Sequence, residues 1–517
     1  MPRVGSDRLI RAAGAAAVLV FFAFVAQFWH PVWGFTAFLQ LDSSNDNLKI
    51  AAFKTQPVYV YQNTGGYDGL YYAQLAYHPA LAAPEIRRAL DNPIYRARRI
   101  LPSALAWLLA LGRPAWIVHV YSVLNIVAWL ALAAIVWRLL PVRDLRSWLA
   151  WAGVLFSTGT LSSVRLALTD LVALAIVAGA MLAVERARSQ TAAGLIAAAA
   201  LARETSLLAI AGALRRPWLS RANLQRVAIA IVPLGVWLLY IRWLFGPGDP
   251  GWSNLTRPLA GVAGKLDADI SAALHLGDRP IAWTTLAATL GLIVQTFYVA
   301  TRPRIEDGWW RIGAVYAVLM LCLGKSVWEG FPGAATRVLL PMALAFNVLV
   351  VRDRAAVVWL LAGNLAVLNG YLVMRDVPRD TRELAAGHTG GAAVVVRTDA
   401  RWFDVERGWR HATAWSSASS EVEIETWPHD ERAIEIDGSV RSRQPLVLTV
   451  AQDHAVLWRN TILDRPVHFV LLCRMRNGHA RLEFSVGTPG ARSNAPDEDR
   501  APLFAVEDVR FASPRLD

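Results

Sequence analysis

Apolar residues follow two rhythms along this chain. Between residues 9 and 374 they gather in runs of roughly twenty, the length a helix needs to cross a bilayer, and most runs end in arginine. Beyond 374 the runs shorten to strand length, at 392–396, 422–424, 446–450, 467–472 and 482–486, with Gly, Asp, Asn and Pro clusters between them. The first rhythm predicts a polytopic α-helical membrane domain over 1–374. The second predicts an extracytoplasmic β-rich domain over 375–517, folded as a sandwich of short strands.

Hydropathy places spans at 9–28, 115–139, 148–161, 170–184, 227–244, 281–300, 312–323, 338–351 and 355–374. Two shorter helices at 192–201 and 206–214 bring the count to about eleven, and these two have the length of re-entrant segments. Arginine sets the orientation. Arg138, Arg143, Arg146, Arg186, Arg188, Arg215, Arg216, Arg302, Arg304, Arg352 and Arg354 follow span ends on one side, which the positive-inside rule makes cytoplasmic. Arg3, Arg8 and Arg11 precede the first run, and no small-x-small cleavage site follows it. The first span therefore reads as retained, with a cytoplasmic amino terminus. Long loops escape the charge rule, so Arg87, Arg88, Arg96, Arg98 and Arg99 are compatible with an outer loop at 29–114. Residues 246–280 read as a further outer loop with Pro-Gly turn signals, and the 375–517 domain lies on the same outer side, periplasmic in a Gram-negative cell.

Composition changes this picture little. Apolar residues make up 55% of the chain, above the roughly 45–50% of soluble domains. The net charge of +12 would point a soluble protein toward nucleic acid. Here the arginines flank apolar runs and lack interleaved aromatics, so nucleic acid is excluded as a partner and membrane lipids are implied. Cys322 and Cys473 are too few for a disulfide framework and read as buried thiols. No His-x-x-His, Cys-x-x-Cys or His-Glu-x-x-His spacing occurs, so no fixed zinc site is expected. No phosphate-cradling Gly-rich loop with Lys-Ser/Thr occurs either.

The candidate chemistry sits on the outer side. Tyr67-Asp68-Gly69, with Tyr71 and Tyr72, follows the first span. An isolated Asp-Gly is usually a loop turn, but a carboxylate among tyrosines at a membrane surface can activate a sugar hydroxyl as base or as ligand to a divalent metal. Tyr95-Arg96 and Arg98-Arg99 precede an apolar stretch at 103–111. They serve either as interfacial anchors or as a phosphate clamp, since guanidinium matches phosphate oxygens bidentately. Arg203-Glu204 interrupts an Ala/Leu run, where ionisable groups are expensive and mark either an internal salt bridge or a functional site. Lys325 and Arg337 add outer cations that could neutralise a phosphate. Asp170 and Glu329 are outer carboxylates whose plainer role is to cap helices or face solvent.

In these residues the chain resembles the GT-C superfamily of integral-membrane glycosyltransferases, which includes protein mannosyltransferases and aminoarabinose transferases. The matching elements are Tyr67-Asp68-Gly69 and Tyr71-Tyr72, then Tyr95-Arg96 and Arg99-Ile100-Leu101-Pro102 in the same loop. Thr169-Asp170, Ala202-Arg203-Glu204-Thr205 and Arg337-Val338-Leu339-Leu340-Pro341 follow in order. The resemblance covers about 9–374. It implies a polyprenyl-phosphate sugar donor, chemistry at the outer face of the inner (plasma) membrane, and a first-loop Asp as base or metal ligand. The chain departs from that pattern in lacking a paired acidic motif in the loop, since Asp42 and Asp46 lie well upstream.

The expected activity is transfer of a sugar to a glycan or lipid acceptor of the cell envelope with inversion, a direct displacement that needs one base. Asp68 is the expected base, with Arg337, Arg203 and Arg96 facing the departing phosphate. The expected substrate-binding set is Tyr67, Tyr71, Tyr72, Tyr95, Arg96, Arg99, Asp170, Arg203, Glu204, Lys325, Glu329 and Arg337. Trp402, Trp409 and Trp415 of the β-domain are either core residues or stacking platforms for sugar. A flippase for a lipid-linked saccharide would use the same arginines, although the two halves show no inverted repeat. A non-catalytic envelope assembly protein is the third reading.

Overall fold

In the computed structural model, the described residues are 4–249, 251–275, 279–330, 333–375, 377–378, 380–408, 412–417, 419–463, 465–487 and 502–512. The chain divides into two compact units. One is Met1–Phe28, Phe35–Ile50 and Val60–Val377; the other is Trp29–Gly34, Ala51–Tyr59 and Pro378–Asp517. Two short stretches of the 29–114 loop thus belong to the second unit, which a boundary drawn from hydropathy alone does not anticipate.

The first unit is helical. Among the described residues four helices are long and apolar enough to cross a membrane: Arg8–Ala26, Pro114–Leu139, Arg221–Phe245 and Pro280–Thr301. The remaining apolar runs are shorter or broken. Ser189–Ala202, Glu204–Ala213, Gly308–Cys322 and Leu340–Arg352 each fall short of a bilayer's thickness. The run at 148–161 splits into Leu145–Leu155 and Thr158–Arg165, and that at 355–374 into Val357–Gly363 and Ala366–Val373. These lengths do not confirm the count of about eleven. Leu340–Arg352, whose residues from Leu340 to Val350 are all buried, shows why hydropathy is a poor guide to it. A helix wrapped in protein is as apolar as one in lipid, and hydropathy cannot separate the two. The 246–280 segment is no plain loop either, because it contains the helix Ala260–His275.

The 29–114 segment is built of short helices. Those that position the site are Gly69–Leu75, Pro93–Ala97 and Leu101–Leu109. Asp42 ties the segment together: its carboxylate accepts bonds from the Ser44 amide (3.0 Å) and hydroxyl (2.6 Å) and from the Thr64 amide (2.7 Å) and hydroxyl (2.8 Å). Burial works to raise its pKa, but these four bonds overcome that and hold it well below the ordinary carboxylate range. Gln74 adds a second tie, accepting from the Ile50 amide (2.7 Å) and donating to the Ala89 carbonyl (3.4 Å).

Asp68-Gly69 is no turn. Asp68 has helical φ −56°, ψ −24° and opens the helix Gly69–Leu75. Glycine is required there by proximity: a Cβ on Gly69 would lie 2.8 Å from the carbonyl oxygens of both Leu166 and Leu39. Backbone atoms cannot step aside as a flexible side chain can. Gly69→Ala is expected to destabilise the protein by about 1–3 kcal/mol, read as a lower thermal midpoint in detergent. Gly194→Ala, in an open helical position with nothing within 4 Å, is the control and should be neutral or slightly stabilising. Equal midpoints for the two variants would contradict the packing argument.

The second unit is a two-sheet β structure. Its strands are β1 (Glu383–Thr389), β2 (Ala392–Thr398), β3 (Glu406–Arg407), β4 (Ala412–Ser416), β5 (Ser420–Trp427), β6 (Ala433–Ser442), β7 (Leu446–Gln452), β8 (Ala455–Ile462), β9 (Val467–Arg474), β10 (His479–Gly487) and β11 (Phe504–Ala512). One sheet runs β1-β2-β5-β10-β7-β8 and the other β3-β4-β11-β6-β9, with antiparallel pairing throughout. Alternate residues face a shared core that includes Val422, Ile424, Ile434, Ile436, Leu448, Phe469 and Phe484. Trp33, from the 29–34 stretch, packs edge-on against Trp427 at 5.3 Å, and His30 bonds the Glu383 carboxylate at 3.0 Å.

This packing separates the tryptophans. Trp402 is a core residue, edge-on to Phe484 and Phe504, with its indole N–H donated to the Glu421 carbonyl at 2.9 Å. It is therefore no stacking platform. Trp415 is half-buried and carries Arg441 and Arg443 over its ring at 4.8 and 4.9 Å. Trp409 lies outside the described residues. Cys473 is buried, which pushes its thiol up to about 12, whereas Cys322 is only half-buried at the end of its helix.

Candidate active site

Within the helical unit, one cavity of about 380 Å³ takes its charged and tyrosine side chains from five segments of the sequence. Asp68, Tyr67 and Tyr72 come from the start of the helix Gly69–Leu75. Tyr95, Arg98 and Arg99 come from the end of Pro93–Ala97, and Asp170 opens the helix Asp170–Glu185. Arg203 and Glu204 come from the break between two short helices, and Arg337 from Ala334–Val338.

The local structure explains the positions. Asn92 caps the Pro93–Ala97 helix by accepting from the Tyr95 amide at 3.0 Å, and Pro93 starts it. The single short turn then leaves Arg96, Arg98 and Arg99 grouped around the Tyr95 ring at 5.3, 4.1 and 4.8 Å. Burial alone would raise the Tyr95 phenol's pKa. The positive charges of Arg99, Arg203 and Arg98 outweigh it and draw the pKa below its ordinary value. Arg203 is extended (φ −153°, ψ 119°), which ends the helix Ser189–Ala202 and turns both Arg203 and Glu204 toward the cavity.

Each carboxylate of the lining is held by guanidinium. Glu204 takes a bidentate pair from Arg99, Nε to Oε2 at 2.9 Å and Nη2 to Oε1 at 2.8 Å, and a further contact from Arg98 at 2.9 Å. Arg99 also donates to the Tyr72 hydroxyl at 3.0 Å. Asp170 pairs with Arg203 and stands 4.0 Å from Arg337, whose other nitrogen donates to the Tyr67 hydroxyl at 2.8 Å. Burial raises the Tyr67 pKa, and the positive charge of Arg337 offsets part of that. Asp68 contacts Arg96 at 2.6 Å, and Arg96 is itself held bidentately by Asp91 at 2.9 and 2.7 Å.

Exposure distinguishes the three carboxylates. The side chain of Asp68 is 30% exposed, that of Glu204 23% and that of Asp170 2%. Asp68 is the most exposed of the three and pairs with one guanidinium, while Glu204 and Asp170 pair with four arginine heads between them. Each carboxylate of the lining already faces a guanidinium, so a hard divalent cation would have to displace a charge partner to gain a carboxylate ligand here.

The structure therefore brings together Asp68, Tyr67, Tyr72, Tyr95, Arg99, Asp170, Arg203, Glu204 and Arg337. Arg96 and Tyr71 stand behind the lining, with Arg96 stacked on the Tyr71 ring at 4.7 Å. Lys325 and Glu329 are not brought to the cavity; both are exposed and face each other at 3.6 Å. They sit one helical turn apart at a helix end, where mutual pairing comes more readily than reaching inward. Sequence reasoning missed Asp91 and Asn254, and left Arg98 out of the expected substrate-binding set although it was flagged together with Arg99. Asp91 precedes the Asn-Pro start of their helix. Asn254, whose amide reaches the Tyr95 hydroxyl at 3.5 Å, carries no local signal.

The chain matches no known protein-family description and no curated protein. Among solved structures it is similar to the cryo-EM structure of arabinosyltransferase EmbB from Mycobacterium smegmatis, with 11% identity and a TM-score of 0.23. That alignment covers 96% of this chain and 64% of the other, so this chain spans less than two thirds of that protein's length.

Proposed function

We propose that this protein is a membrane glycosyltransferase that moves a sugar from a polyprenyl-phosphate donor to a cell-envelope glycan or lipid acceptor. Chemistry is assigned to the outer face of the inner membrane, the side on which the arginine pattern places the 29–114 loop. One observation carries the reading. Asp68, Arg203 and Arg337, from segments far apart in the sequence, line the same cavity with an accessible carboxylate and pre-positioned guanidinium groups.

In this mechanism the acceptor hydroxyl loses its proton to the Asp68 carboxylate as its oxygen attacks the anomeric carbon. The bond from that carbon to the phosphate oxygen breaks with inversion, and the bonding pair leaves with the polyprenyl phosphate. Arg203 and Arg337 meet the developing phosphate charge. Asp170 and Tyr67 hold them in place before reaction, so little reorganisation is needed at the transition state. Arg98 and Arg99, fixed by Glu204, extend the positive lining.

The test uses the full-length protein in lipid with radiolabelled polyprenyl-phosphate sugars and envelope acceptors. Sugar transfer with release of polyprenyl phosphate is the expected result. Donor translocation without transfer would replace the reading with that of a flippase, and neither activity would leave an assembly role.

A further inference from the structure

We propose that Glu425, His429 and His479 of the β unit form a binding site for a zinc-class divalent cation. A ligating atom from each lies within 4.8 Å of the other two. No sequence spacing announces the site, because strand pairing assembles it. β5 and β10 run antiparallel with His479 directly opposite Glu425, so both side chains leave the same face of the sheet. His429 lies just past the end of β5. Its loop is stapled to the turn before β10: the Gly478 amide donates to the Asp430 carbonyl at 3.1 Å, the Thr426 amide to the Gly478 carbonyl at 2.8 Å, and the Met475 amide to the Arg432 carbonyl at 2.7 Å.

The turn is shaped to admit the imidazole. Gly478 has φ +75°, and a Cβ there would meet the His429 Cα at 2.6 Å and its ring at 2.9 Å. The rings of His429 and His479 lie 5.2 Å apart, and His429 Nε2 stands 3.7 Å from Glu425 Oε1. Arg397 holds the other oxygen, Oε2, at 3.4 Å. Glu425 thus presents one oxygen to the pair of imidazoles and keeps the other on a fixed partner, as a metal-binding carboxylate usually does.

Two imidazoles and one carboxylate suit zinc and its neighbours, and calcium or magnesium poorly. Donors on one tetrahedral zinc lie roughly 3.3 Å apart, given bonds near 2.0–2.2 Å. The exposed His429 and His479 side chains have room to close the remaining distance. Three protein ligands leave a fourth position for water or an oxygen of a bound molecule. Glu425 and His479 also line a surface groove of about 460 Å³ with Arg397, Arg476 and Arg481, and that groove offers such a molecule a place.

The experiment titrates Zn(II) into the untagged full-length protein in detergent, followed calorimetrically, with Co(II) absorption as a second readout. Expected are one tight site per chain, a tetrahedral Co(II) spectrum and a rise in unfolding temperature on adding Zn(II). H479A and H429A each remove a direct ligand and should weaken Zn(II) binding by more than the roughly 10–100-fold that loss of an outer-shell partner costs, and the double variant should lose both the spectrum and the thermal shift. In EDTA the double variant should unfold with the wild type, which excludes misfolding as the cause. Absence of a tight site, or binding that survives the double substitution, would overturn the proposal.

Discussion

Asp68→Asn is expected to lower sugar transfer by about 10²–10⁴-fold, the range that a positioned general base contributes, with little change in donor binding. Asparagine keeps the shape of aspartate but cannot accept the acceptor's proton. The fold should survive, because Arg96 retains its bidentate partner Asp91 at 2.9 and 2.7 Å when Asp68 loses its charge. Donor affinity should hold because Arg98, Arg99, Arg203 and Arg337 keep their own counter-ions, Glu204 and Asp170. The measurement is single-turnover transfer beside equilibrium binding of the donor. Full-rate transfer by Asp68→Asn would remove Asp68 from the chemistry, and equal loss of binding and transfer would make it a binding group instead.

Glu204→Ala should lower stability by about 3–5 kcal/mol. It leaves Arg98 and Arg99, both nearly buried, without the carboxylate that neutralises them. A charge stranded in this way costs more than the pair was worth, since desolvation has already been incurred. The readouts are the thermal midpoint in detergent and the yield of monodisperse protein. Arg99→Ala combined with Glu204→Ala should recover part of the loss, because the pair is then removed together. A Glu204→Ala protein as stable as wild type would mean that solvent or lipid headgroups already satisfy these arginines.

The individual candidates were readable because each breaks a local rule. Arg203-Glu204 interrupts an Ala/Leu run, Asp68 is a carboxylate set among tyrosines in the first outer loop, and Arg337 stands at the edge of an apolar run. The same rule also picked out Lys325 and Glu329, which pair with each other at the surface. Cost in an apolar run identifies an unusual residue without saying which residue relieves it. The partner of Arg99 lies 105 positions away and the Tyr67 partner of Arg337 lies 270 away, and no local pattern carries such a distance. Gly69 illustrates the same limit. Its dipeptide signals a turn, whereas the reason for glycine is the approach of two other backbone segments.

In the β unit, the segments read from the sequence correspond to β2, β5, β7, β9 and β10, and the other strands were not read. β6 alternates inward Ile434, Ile436 and Val440 with polar neighbours, and β8 is largely exposed, so neither forms a run. The helix lengths mislead for the converse reason, since protein interior and lipid select the same apolar composition.

Composition and periodicity alone thus establish an apolar helical region followed by a β-rich one, and nominate the charged residues that are costly where they stand. Those properties are local, set by backbone geometry and solvation of each segment. Which charges meet, which carboxylate stays open to the cavity, and that His479 lies opposite Glu425 all required the folded chain. They depend on long-range packing and strand register, where the energy of a residue belongs to its neighbours in space and not to its neighbours in sequence.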